Sequence, residues 1–305
     1  MMSVPSAIEQ VGSSPVEDGE PESRARVSRL MARVFAENKL AVIGVFGVVL
    51  LFLFCFVGPL LYHTNQVQTD IPISNQGPSI AHFLGTDSAG FDILGRLMQG
   101  GQVTLLVGIS VALLATSLGV IWGAAAGFVG GLLDTLMMRV VDSLLAIPSL
   151  FLLIFLDSIF RPTAPMLVVV IASLAWLVPA RLVRAETLSL RSRPYVDSAR
   201  GMGAGTARII LRHIIPNVFG TVMVNATFQV ADAILTVAAL SFLGMGIPPP
   251  GANWGGMLSD GVTYVFAGYW WQIFPAGVCI VGVVVAFNFI GDGLRDVFEV
   301  RLRRR

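Results

Sequence analysis

Charge is scarce in this chain. Only 13% of its 305 residues are Asp, Glu, Lys or Arg, against ~25% in an average soluble protein. Hydrophobic residues make up 55%, and mean hydropathy is +0.78. A soluble globular domain is therefore excluded. Lysine is almost missing: Lys39 is the only one among twenty basic residues. No phosphate loop of the form GxxxxGK[ST] can be built, so the chain cannot hydrolyse ATP by itself. The two cysteines, Cys55 and Cys279, both fall in apolar runs. That suits buried small hydrophobes better than a disulfide. His63, His82 and His213 are far apart, so no metal site and no catalytic triad is expected. A net charge of +1 gives no reason to expect a nucleic-acid partner.

What is abundant is apolar sequence in long runs. Residues 1–37 are polar, and no apolar stretch follows the first Met, so they read as a flexible tail and not a signal peptide. Arg24, Arg26, Arg29 and Arg33 interleave with Leu30, Met31 and Val34. This is either an amphipathic helix on a membrane surface or a plain flanking charge cluster. Six apolar runs follow: Leu40–Leu61, Val103–Phe128, Leu136–Phe160, Ala164–Arg184, Val218–Leu243 and Trp271–Ile290. At 1.5 Å per residue such runs match a hydrocarbon core of ~30 Å. With the N-terminus inside, eighteen basic residues fall on inner segments and only Arg96 and Arg161 on outer ones. By the positive-inside rule both termini are cytoplasmic. The expectation is an all-α membrane protein of six transmembrane helices. Its parts are a tail (1–37), a first span with an outer loop (38–102), a core of spans (103–294) containing a cytoplasmic loop (187–217), and a basic end (295–305).

Within the spans, Gly119, Gly123 and Gly127 recur every fourth residue, a stripe that lets two membrane helices approach closely. Pro148 and Pro179 can kink the third and fourth spans. Asp142 and Glu186 lie near span ends, where water or arginine can satisfy them. Asp232 falls mid-span, where a charge costs about 2.5–3.5 kcal/mol on insertion scales. Asn225, Gln229 and Thr236 share its helical face. That face either lines a solute path favouring a cationic group or holds a protonated or paired structural Asp. Trp254, Tyr264, Tyr269, Trp270 and Trp271 suggest an outer aromatic belt.

The longest polar interruption is Tyr195 to Asn217, YVDSARGMGAGTARIILRHIIPN. Its pattern predicts a short helix from Asp197 to Met202, a reversal at Gly201, Gly203 and Gly205, and a second helix from Ala207 to Ile215. Pro216 then fits the first turn of the next helix. A nucleotide loop is a poor rival, since GxGxxG fails at Thr206.

This stretch resembles the cytoplasmic loop of permease subunits of bacterial ATP-binding-cassette importers. The family pattern is Glu-Ala-Ala, three residues, Gly, nine residues, then a hydrophobic ending in Pro. Asp197, Ser198 and Ala199 hold the first places here, followed by Gly203 and Ile215-Pro216. Asp replaces Glu and Ser replaces Ala. Three further blocks are similar to the dipeptide, oligopeptide and nickel class: His82 to Leu97, Ser241 to Leu258, and Asn288 to Asp296. Phe91 and Gly95 depart from the usual Arg and Ser. The leading span resembles the "C" type of subunit.

The resemblance implies a type I importer permease fold in a bacterial inner membrane, with no cofactor of its own. A second permease would share the path for short peptides, and a substrate-binding protein would dock outside. Two ATPase subunits would hold ATP and Mg²⁺ and grip Asp197, Ser198, Ala199, Arg200, Gly201, Gly203 and Pro216. Nickel, glutathione or another small solute stays open as cargo. An ion-coupled transporter is a remote rival, since it would need ionisable residues in several spans.

Overall fold

The computed structural model describes residues 31–160 and 163–303. Of the tail expected over 1–37, residues 31–37 are helical; the remainder lies outside the described residues, as does Arg161. Among the described residues there is no strand beyond one isolated bridge between Thr86 and Asp92.

Helix α1, Lys39–Phe56, starts on Asn38, whose side chain accepts from the Leu40 and Ala41 amides. The same side chain donates to Asp296 at 2.9 Å, joining α1 to the last helix. Helix α2, Ile93–Val129, is capped by Asp92, which accepts from the Gly95 amide at 2.8 Å. The span expected from Val103 starts earlier, at Ile93, within the same helix. Gly100 and Gly101 do not break it; they form a slot for Asn253 and Trp254. Ile93 and Leu97 are buried in the core with Trp254 and do not lie on a membrane surface. Trp254 is likewise no belt residue: it is fully buried, and its indole donates to the Leu97 carbonyl at 2.8 Å.

The third and fourth expected spans are both broken. Helices α3 (Gly131–Leu145) and α4 (Ser149–Ile159) meet at 83°, with Pro148 in extended backbone at the corner. Helices α5 (Ala164–Ala175) and α6 (Leu177–Leu190) meet at 42°. Pro179 lies in the first turn of α6, where its missing N–H leaves no intrahelical bond unmade. After the short helix α7, Pro194–Gly201, comes α8, Thr206–Met245, 40 residues long. The second hairpin helix runs into the fifth span without a loop, and Pro216 lies in the first turn of the α-helical stretch Ile215–Leu240, as expected. A wide π turn over Ile210–Ile214 precedes Pro216, closed by the Ile215 amide on the Ile210 carbonyl. Helices α9 (Trp254–Val265) and α10 (Phe274–Arg303) complete the chain. Among the described residues four helices are long and apolar enough to cross a membrane, or up to six if each bent pair is one span.

Between α1 and α2 the loop is tightly built. Asp92 accepts from the Tyr62 hydroxyl at 2.8 Å and lies 2.9 Å from the His82 ring Nδ1. Burial, then the hydrogen bond and charge of Asp92, push the Tyr62 phenol up to about 12. Asp87 closes the next turn, accepting from the Ala89 and Phe91 amides. Trp271 and Gln272 reach the loop from the start of the last span, both donating to the Thr86 carbonyl.

The glycine stripe of α2 lies against α6. Gly119 faces Pro179 and Ala180, Gly123 faces Ala180 and Val183, and Gly127 faces Arg184 and Thr187. A methyl at Gly127 would stand 2.9 Å from the Arg184 carbonyl. Such approach matters in lipid, where helix association depends on packing and not on water exclusion. We expect Gly123→Leu to destabilise the fold by about 1–3 kcal/mol through forced overpacking. Gly282→Ala, with open space around it, should be neutral or stabilising by about 0.5–1 kcal/mol. Thermal melting in detergent measures both; equal melting of the two variants would contradict the packing.

Candidate functional site

The polar stretch folds as a helical hairpin mounted on three helices. Pro194 opens α7, and Val196 and Ala199 point inward. They join a buried cluster with Ala124 and Phe128 of α2, Val183 of α6, and Ile209, Ile214 and Val218 of α8. The reversal is a Schellman-type close: the Ala204 amide donates to the Ala199 carbonyl at 3.0 Å, and Gly203 adopts φ 80°. Of the three glycines expected to supply turn angles, only Gly203 is left-handed. Asp197, Ser198, Arg200, Gly201, Met202, Gly203 and Pro216 are exposed, whereas Ala199 is buried. Met202 is the apolar tip, 82% exposed. Arg200 is not a free cation: it lies 3.3 Å from Asp197 and 5.0 Å over the Phe128 ring.

Beneath the hairpin is a set of arginine contacts. Arg184 binds Asp134 in a bidentate fork at 2.6 and 2.8 Å. Arg191 donates to the Gly127 carbonyl at 3.0 Å, and Arg181 pairs with Asp142 at 2.5 Å. Glu186 accepts from Thr221 at 3.4 Å. Asp134 was not singled out in the sequence. The only local signal was an acid in the first turn of a helix, which α3 explains equally well by its dipole.

A second feature is a cleft of about 310 Å³ between α8 and the bent pairs. Asn225, Gln229, Asp232 and Thr236 line one wall. Ser149 and Leu153 of α4, and Ile171 and Ala175 of α5, line the opposite side. Asp232 is exposed to this space. The Asn225 Oδ1 is buried without a hydrogen-bond partner. Asp157, one turn beyond Leu153, is also buried, and neither of its carboxylate oxygens has a partner. The sequence reading passed over it because it lies near the end of an apolar run. Cys55 and Cys279 are free, and no cluster of metal-ligating residues occurs among the described residues.

A hairpin standing proud of a helical membrane body, with a polar cleft behind it, fits one family. The family model "Binding-protein-dependent transport system inner membrane component" matches residues 119–304. The chain belongs to this permease family. A second model, the N-terminal transmembrane domain of oligopeptide transport permease C, matches residues 28–78. The oligopeptide transport system permease protein OppC of Bacillus subtilis is 36% identical over the full length of both chains. The dipeptide permease DppC of the same organism is 37% identical over 89% of this chain and 85% of its own. OppC of Haemophilus influenzae is 38% identical over 97% of this chain and 95% of its own.

The Arg184–Asp134 fork ties α6 to α3 directly below this permease's hairpin. Removing one partner leaves the other charge partly buried and unpaired. Asp134→Ala should cost about 2–3 kcal/mol, discounted from the fully buried range because Arg184 is one-third exposed. Restoring stability by adding Arg184→Met would identify the stranded charge as the cause; a neutral single variant would refute the fork.

Proposed function

We propose that this chain is one of two permease subunits of an ATP-driven importer of short peptides, and that its hairpin is the part gripped by ATPase subunits. The observation that carries this is the mounting of the hairpin. Its inner face is sealed to α2, α6 and α8 by Val196 and Ala199, while its outer face offers Asp197, Ser198, Gly201, Met202 and Gly203. Small residues there allow close seating in a groove. Peptide cargo is the reading favoured by the oligopeptide and dipeptide permeases that the chain resembles over most of its length.

In this reading each bent pair is one span, giving six, with the hairpin and both termini in the cytoplasm of a bacterial inner membrane. The other permease completes the path along the cleft. A substrate-binding protein delivers cargo at the end where the α1–α2 loop lies. ATP and Mg²⁺ sit in the ATPase chains, whose closure draws the hairpins together and opens the path outward. This chain contributes no catalytic residue; it transmits force. Asp232, with Asn225 and Gln229, presents a carboxylate to the cleft and favours cargo bearing a positive charge.

Reconstitution with the partner chains tests this. Gly203→Trp should lower binding-protein-stimulated ATP hydrolysis at least ~10-fold, the loss of about 1.4 kcal/mol of docking, while leaving membrane insertion intact. Asp232→Asn should keep that stimulation but weaken the preference for cationic peptides. Normal stimulation in the Gly203 variant would sink the docking role of the hairpin.

A further inference from the structure

A separate cavity of about 300 Å³ lies at the opposite end of the molecule from the hairpin. Asp87, Arg96, Ser241, Pro249, Asp260 and Gln272 line it. Arg96 is engaged: Nη1 donates to the Pro250 carbonyl at 2.8 Å, Nε lies 3.4 Å from Asp87, and the guanidinium sits 4.1 Å over the Phe91 ring. The Gln272 amide donates to Asn75 and to the Thr86 carbonyl. Pro248 and Pro249 line it and bring no N–H groups; the Pro248 carbonyl accepts from the Gly251 amide. What remains is acceptor capacity. Asp260 makes no hydrogen bond or ion pair among the described residues. Burial pushes its carboxyl above the usual range; Arg96 opposes this and Asp87 adds to it. Ser241 is only 3% exposed, and its Oγ has no hydrogen-bond partner. With two carboxylates against one guanidinium, the lining is one charge negative.

We propose that this cavity is a receiving site for the free amino terminus of a peptide, with the Asp260 carboxylate and the Ser241 hydroxyl as acceptors for its ammonium group. A primary ammonium has three N–H donors and no acceptor, as in lysine, which matches a wall short of cationic donors and rich in oxygen. Cargo is favoured as the source over a lysine of a docked protein by position. Ser241 is on the same helix as Thr236 of the cleft wall, roughly 7.5 Å further along at 1.5 Å per residue. The cavity thus lies beyond the cleft along the same helix, with Ser241 turned roughly 150° round it from the face of Asn225, Gln229 and Asp232 at 3.6 residues per turn.

This inference rests on the peptide-importer reading, and the test separates the two. The assembled transporter in nanodiscs, without its binding protein, is titrated with tri-alanine and with N-acetyl-tri-alanine by saturation-transfer NMR. The wild type should bind the free peptide at least ~10-fold more tightly, a gain of about 1.4 kcal/mol. Asp260→Asn should abolish that preference, and Ser241→Ala should reduce it. Unchanged basal ATP hydrolysis shows that each variant has assembled. Equal binding of the two peptides, no binding of either, or a preference that survives Asp260→Asn overturns the assignment. So does a variant that loses affinity only for the binding protein, which would make Asp260 a docking contact. If peptide with its binding protein fails to stimulate ATP hydrolysis even in the wild type, the importer reading itself fails; if it stimulates normally, only the cavity assignment does.

Discussion

The close approach of α2 to α6 is the constraint from which the rest follows. Gly119, Gly123 and Gly127 put no side chain of α2 between the two backbones. In lipid there is little water to expel, so contact of this kind must come from fitting surfaces. The approach has local consequences at the hairpin end. It places Arg191 on the Gly127 carbonyl, and α6 then holds Arg184 against Asp134 of α3. The hairpin leaves α6 three residues after its last turn and seats Val196 and Ala199 beside Phe128. A wider α2–α6 spacing would remove all of these contacts together.

Seen this way, the hairpin is a rigid extension of the membrane body. Its second arm is the start of α8, which runs helically from Thr206 to the break at Gly244, roughly 57 Å at 1.5 Å per residue. That single helix links the exposed tip, the Asp232 cleft and, at Ser241, the far cavity. Each end of it departs from regular α geometry: Ile210–Ile214 is a π segment, and Ser241–Met245 breaks at Gly244, where φ is 84°. Such segments recur at functional sites in helices. Here one lies just after the hairpin and the other at the cavity, so the stretch between them is the regular rod.

Much of this was legible from residue order, and the failures have physical causes. Apolar runs and the four-residue glycine spacing are local patterns, so the all-helical apolar body and the stripe could be read. The helix the stripe meets is a tertiary fact and could not. Pro148 signalled a kink, but an 83° corner depends on how α3 packs, which no proline encodes. Pro216 was legible as a first-turn proline; the π turn that joins its helix to the hairpin without a loop was not. Trp254 misled because tryptophan is frequent at membrane interfaces, whereas Gly100 and Gly101 open a slot for it inside the protein. In the hairpin, the motif residues read as one docking surface. The period of Val196 and Ala199, three apart, turns one of them inward.

The central claim is that the hairpin and α2 move as one body. It is tested most directly by pulsed electron-spin distance measurement in the assembled transporter. Labels go on Met202→Cys at the tip and Val129→Cys at the end of α2, with Cys55 and Cys279 replaced. The account predicts that the distance between them holds within about 2 Å between the resting and ATP-trapped states, the scale of a packed-helix adjustment. A change of about 5 Å or more, the size of a one-turn slip, would show a hinged hairpin and contradict it.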